Sequence, residues 1–223
     1  MAVVNGVSAQ DPPPKITSLL EEFQNIQSTR AETYTLLHEG FRDFLKSKDE
    51  APFVKSMADA TQVFKKCSQE VIRIEKVLRE TPNAGELADL LRSVQEGERS
   101  KLKATMALQS LRRVYEVEKF SWQQLEPPPS VLGADPHTHQ HAHGAPGVSD
   151  VTSGISFINL ENGSVDINRV DGGEGGEPSR WDYDGAVGEA THMLDSAINR
   201  INEVLEEIRY ARVDFEEGDA EGS

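Results

Sequence analysis

Apolar residues recur along this chain at helical spacing. The clearest run is Phe53, Met57, Ala60, Phe64, Cys67, Val71, Ile74 and Leu78, whose steps alternate between four and three. Such a heptad seam predicts a helix packed against another helix. It sets a helix over about 52–80, with Pro52 in the first turn, where its missing N–H costs nothing. Upstream, Phe23, Ile26, Arg30, Tyr34, Leu37, Phe41 and Leu45 predict a helix over about 15–46. Their spacing repeats over eleven residues, which favours a nearly straight helix. Gly40 sits beside that stripe. Inside a helix it costs about 1 kcal/mol relative to Ala, so close approach by a neighbouring helix is the expected reason for it.

Pro82 pushes Thr81 out of helical geometry and marks the next break. Leu87, Leu91, Val94, Glu98, Lys101 or Leu102, Thr105, Leu108, Arg112 and Tyr115 then predict one continuous helix over about 84–125. Pro127-Pro128-Pro129 ends it. A last heptad runs through Val187, Ala190, Leu194, Ala197, Ile201, Val204, Ile208, Ala211 and Phe215, giving a C-terminal amphipathic helix over 181–216. The expected fold class is all-α. An antiparallel up-down-up three-helix bundle occupies 14–125, a long flexible linker follows, and a fourth helix ends the fold. Residues 1–13 read as a disordered tail and 217–223 as an acidic one.

The linker, 126–180, is rich in Pro, Gly and His. Within 155–170, alternating apolar residues flank Asn162-Gly163, which spells a small hairpin with a two-residue type I′ turn. A lone hairpin is marginal in water, so a peptide motif that orders on a partner is the alternative.

Short turns near residues 49 and 82 place Arg30, Ser68 and the stretch Glu96–Glu98 at one level. Arg30, Ser68 and Glu98 are therefore expected to form a polar layer that sets register. The predicted third helix outruns the other two and carries Tyr115, Phe120, Trp122 and Leu125 beyond them. Either the fourth helix folds back over these residues, or they form a partner surface together with Leu194, Ile201 and Ile208.

Charge changes the picture for binding. The net charge is −15, yet residues 1–125 hold 18 basic and 18 acidic side chains, so all of the excess falls in 126–223. An acidic half disfavours broad nucleic-acid binding and suits a basic protein partner. Local basic clusters remain. Lys65 and Lys66 on the second helix, and Arg99, Lys101, Lys103, Arg112 and Arg113 on the third, are candidate phosphate contacts. Interspersed acids make solvated helix faces the simpler account.

Little points to catalysis: no nucleophile elbow, phosphate loop or Cys-x-x-Cys pair occurs. No cofactor or small-molecule substrate is expected. His137, His139, His141 and His143 alternate, but they sit in a Pro/Gly tract without placed partners and read as low complexity, not as a metal site. Cys67 is a small hydrophobe on the seam. No basic leader or membrane-length apolar run is seen, so an intracellular, soluble protein is expected.

Three stretches carry a family resemblance: Glu22-Phe23, Gln27, Arg30-Ala31-Glu32-Thr33-Tyr34, Leu37 and Glu39-Gly40-Phe41; then Phe64, Ser68, Glu70-Val71 and Ile74; then Gln95-Glu96, Glu98-Arg99, Lys101-Leu102, Thr105 and Leu108-Gln109. Over about 15–120 the chain resembles the required-for-excision 1-B domain family. The resemblance implies a helical protein of DNA excision repair, nuclear or nucleocytoplasmic, and brings no catalytic residue. The role expected is a non-enzymatic scaffold or adaptor that contacts other repair proteins. The alternatives are a coiled-coil subunit of an unrelated assembly, or a weak binder of the DNA backbone.

Overall fold

The computed structural model describes residues 15–124, 158–159, 164–165 and 177–221. Its helices are α1 (Ile16–Ser47), α2 (Glu50–Glu80), α3 (Gly85–Arg113) and α4 (Arg180–Glu221). The first two end within two residues of the bounds that periodicity predicts. Local chemistry explains these ends. Lys48 takes a left-handed φ of 60° after α1, and Asp49 caps α2 by accepting the Ala51 N–H at 3.2 Å. Thr81-Pro82-Asn83-Ala84 closes with an Ala84 N–H to Thr81 carbonyl bond of 3.3 Å, and Asn83 has φ 61°. Pro at the second turn position and Asn with positive φ at the third is what a type II turn requires.

The chain divides into two compact units. One comprises Met1–Phe44, Asp49–Gly97 and Asn199–Ser223; the other comprises Leu45–Lys48 and Glu98–Ile198.

In the first unit, α1 and α2 run antiparallel, as the contacts Tyr34–Phe64 and Phe41–Phe53 show. The seam of α2 faces inward: Phe53, Ala60, Phe64, Cys67, Val71, Ile74 and Leu78 are all buried. Leu19, Leu20 and Phe23 of α1, Leu87, Leu91 and Val94 of α3, and Ile201, Val204 and Ile208 of α4 join one apolar cluster. Fully burying a side chain of this size stabilises by roughly 1.5–3 kcal/mol. Arginines flank the α4 contribution. Arg200 bonds Glu96 at 3.0 Å and Ser93 at 3.1 Å on α3, and Arg212 bonds Glu21 and Gln24, each at 3.1 Å, on α1. The C-terminal half of α4 thus folds back as a fourth helix of this unit.

In the second unit the expected continuous third helix is corrected. After Arg113 the helix widens into a π turn, Val114–Glu118, and Lys119 at φ 60° ends it, with its N–H on the Val114 carbonyl at 2.8 Å. A short 3-10 turn, Ser121–Gln124, follows. Gln123 ties the bend by accepting the Phe120 N–H at 2.6 Å and donating to the Tyr115 carbonyl at 3.2 Å. The buried stripe of α3 also moves. Ala104, Ala107, Leu111 and Val114 are buried, whereas Arg112 and Tyr115, expected inside, are exposed. Small Ala107 and Ala190 let α3 and α4 pack closely beside Leu111.

In the stretch where a hairpin is expected, β1 (Ile158–Asn159) pairs antiparallel with β2 (Ser164–Val165), Ile158 opposite Val165 and Asn159 opposite Ser164. The expected Asn162-Gly163 turn lies outside the described residues. α4 begins at Arg180, one residue before the bound that periodicity predicts.

Gly40 meets its expected neighbour in Ser56. A Cβ on Gly40 would lie 2.9 Å from the Ser56 hydroxyl oxygen and 3.2 Å from its Cβ. A hydroxyl can rotate away, but the Cβ is fixed to the α2 backbone. Gly40→Val is therefore expected to lower stability by about 1–3 kcal/mol through overpacking. Urea unfolding of the full chain measures this; unchanged stability would show that α1 and α2 need no close approach here.

Candidate functional site

Arg30 is the most deeply buried charged side chain described, at 2% exposure on the inner stripe of α1. One amino group of its guanidinium donates to the Ser68 hydroxyl at 3.4 Å on α2 and to the Gln95 side-chain carbonyl on α3. Gln95 closes the ring by donating to the Ser68 backbone carbonyl at 3.0 Å. Three helices thus meet in one hydrogen-bonded layer inside an apolar cluster. A second charged group lies nearer the α2–α3 turn. The Glu75 carboxylate, 8% exposed, forms an ion pair with Arg92 at 2.7 Å and accepts a hydrogen bond from Arg79 at 3.1 Å. Arg79 reaches on to Asp89 at 2.6 Å, and these two carboxylates, Asp89 foremost, hold its guanidinium above the ordinary arginine range. On the outer side, Arg73 bridges Glu22 of α1 and Glu70, which raise its pKa likewise.

Between α1 and α2 lies an open groove of about 470 Å³, lined by Leu36, Gly40, Pro52, Ser56, Ala60 and Val63. Leu36, 63% exposed, stands at its edge, with Glu39, Lys55 and Asp59 around it.

The second unit is organised by aromatic rings. Tyr115, Phe120 and Trp122 gather around Tyr183 of α4, with ring centroids 5.3–6.1 Å apart. The segment before α4 secures them. The Trp122 indole N–H donates to the Pro178 carbonyl at 3.0 Å, and Ser121 donates to Glu177 through backbone and hydroxyl. Ser179 and Asp182 then form a capping box: the Asp182 N–H donates to the Ser179 hydroxyl at 3.2 Å, and the Ser179 N–H to the Asp182 carboxylate at 3.0 Å. This clamp and cap fix the start of α4. Burial pushes the Tyr183 phenol above its usual pKa, assisted by Tyr115, Asp184 and Glu116 and opposed by Arg112.

Residues 18–112 match the model of a family described as DNA repair REX1-B. This is the family whose residue pattern the chain resembles, and its name points to DNA repair. The match spans α1, α2 and nearly all of α3, including Arg30, Ser68 and Gln95, and stops short of the aromatic cluster and α4. No curated protein and no solved structure is similar enough to match.

Within the matched segment, Arg30 and Ser68 meet, and Gln95, which turn counting does not single out, completes their layer. Glu98 is buried and lies 3.6 Å from Lys101. The amide at residue 95 was beyond the reach of turn counting, because Gln is common on exposed helix faces. The residues named for a partner surface differ in exposure. Phe120, Ile201 and Ile208 are buried by the chain itself, Trp122 and Leu194 are half-buried, and Tyr115 is 36% exposed. Leu125 and the four linker histidines lie outside the described residues. Of the candidate phosphate contacts, Lys65, Lys66, Arg99, Lys103 and Arg112 are exposed, and Lys101 and Arg113 are half-buried. Among the described residues, no group of three or more His, Cys, Asp and Glu could hold a metal ion, and no helix is long and apolar enough to cross a membrane.

Two outcomes are expected from this geometry. Gln95→Leu removes an acceptor of a buried guanidinium and a donor to α2, so it should destabilise by roughly 1–3 kcal/mol. Ser68→Ala, which removes only the long 3.4 Å contact, should cost less; denaturant titration of both ranks them, and a reversed order would displace Gln95 from the layer. For Tyr183, a raised folded pKa means that the phenol's contribution to stability is complete below its unfolded pKa of about 10 and is lost as pH rises through the folded value. Wild type should therefore lose stability above about pH 10 more steeply than Tyr183→Phe. Equal alkaline slopes in thermal melts would contradict the shift.

Proposed function

We propose that this chain is a non-enzymatic helical adaptor in DNA excision repair, acting through contacts with other repair proteins in the nucleus or nucleocytoplasm. The family match over 18–112 carries this reading, because it falls on the three-helix segment held by the Arg30 layer. The polar groups of that segment support a structural role. Arg30, Ser68 and Gln95 bond one another, and Glu75 is enclosed by two arginines. The α1–α2 groove offers a contact surface that α4 leaves open, apolar at its floor and charged at its edge.

The test is genetic and biochemical together. Deleting the gene should slow excision of ultraviolet photoproducts, and wild-type chain should restore the rate. Leu36→Glu, an exposed substitution that spares the core, should fold normally, lose co-purification with excision-repair proteins, and restore excision poorly. Normal excision in the deletion strain would remove the repair role. Full rescue by Leu36→Glu would remove the groove from it.

A further inference from the structure

From Arg99 to Tyr115 the chain has five cations and no acidic residue, in a protein of net charge −15. Some of these cations have a structural explanation. Lys101 lies 3.6 Å from Glu98, and Arg113 lies 3.9 Å from Glu118. Arg112 and Arg113 also occupy the last turn of α3, where positive charge is favoured by the exposed carbonyl dipoles. Arg99 and Lys103 have neither account. They are exposed, sit in the middle of α3, and make no ion pair among the described residues. Their spacing of four puts two like charges on one helix face, about 5–6 Å apart at Cβ, a placement that destabilises a helix by roughly 0.2–0.5 kcal/mol. No acid stands three or four residues from Lys103. Glu96, the one acid so placed for Arg99, is held by Arg200 at 3.0 Å.

We propose that Arg99 and Lys103 form a contact for the phosphate backbone of DNA. An uncompensated cation pair is relieved by an anion that reaches both side chains, and a phosphodiester chain presents anions at close, regular intervals. Contacts from Arg and Lys to phosphate oxygens carry no base information, so contact is independent of sequence. The DNA repair family of the same segment makes DNA, rather than an acidic protein, the anion of choice. Affinity is modest, because only two cations face the phosphates. The contact requires no protein partner, so its failure leaves the adaptor reading intact.

The experiment uses the full chain and a fluorescein-labelled 20-base-pair duplex of arbitrary sequence, read by anisotropy at several salt concentrations. Wild type should bind at low salt, with a log–log salt slope of roughly −2 for two neutralised phosphates. Arg99→Glu with Lys103→Glu should weaken binding at least tenfold. Lys15→Glu with Lys76→Glu, which alters net charge equally elsewhere, should weaken it less than threefold. Circular dichroism checks that both variants remain helical. Absence of wild-type binding at low salt, equal losses in the two variants, or binding of a polyglutamate peptide but not of the duplex would each overturn the proposal.

Discussion

A buried guanidinium tolerates very few arrangements of its neighbours. Arg30 sits at 2% exposure among apolar side chains, and leaving its donors unmatched there would cost several kcal/mol. Ser68 and Gln95 must therefore arrive at its level. Sliding α2 or α3 by a single turn, about 5.4 Å, would carry either partner out of reach. An apolar seam alone does not impose this, since heptads can slip and still bury leucines. The polar layer supplies the register, and the seam from Phe53 to Leu78 supplies the burial. Glu75, with Arg79 and Arg92, repeats the device nearer the α2–α3 turn.

Helix α4 stands in a different relation to that register. It reads the α1–α3 face through Ile201, Val204 and Ile208, and it is oriented by Arg200 and Arg212. The residues that match the family end at 112, before the connection to α4 begins. The arginines repay attention because only five basic residues lie in 126–223, and two of them bridge α4 to acids on α1 and α3. These exposed pairs add little stability individually; they choose which side of an otherwise uniform apolar stripe faces the bundle.

The helices were legible in the sequence because their signals are redundant. Each seam repeats its message every three or four residues, and Pro52 and Pro82 mark breaks that need no tertiary information. The end of the third helix was not legible. Nothing in Val114–Trp122 is a strong breaker, and the π turn forms because Tyr115, Phe120 and Trp122 must converge on Tyr183, more than sixty residues later in the chain. The same holds for Gln95, whose importance comes from a partner 65 residues away. Local pattern reveals what neighbours along a helix decide. It is silent where a distant side chain decides. The Ser179–Asp182 capping box is an intermediate case: its spacing is visible, but the Gly-rich stretch before it draws the reading toward linker.

Charge shows the same division. Counting assigns the chain's acidity to its second half, and on that count alone nucleic acid looks excluded. The structure resolves the first half's neutrality into parts with different fates. Arg30, Arg73, Arg79 and Arg92 join α1, α2 and α3 through carboxylates and polar groups, so their charge is spent within the fold. The acid-free stretch of α3 has no such task for Arg99 and Lys103. A long-range field of net −15 is screened within about 10 Å at 0.1 M salt, whereas cations in direct contact with phosphate act at a few ångströms. Net charge therefore sets how strongly this protein attracts or repels DNA from a distance, and leaves open what α3 does at contact.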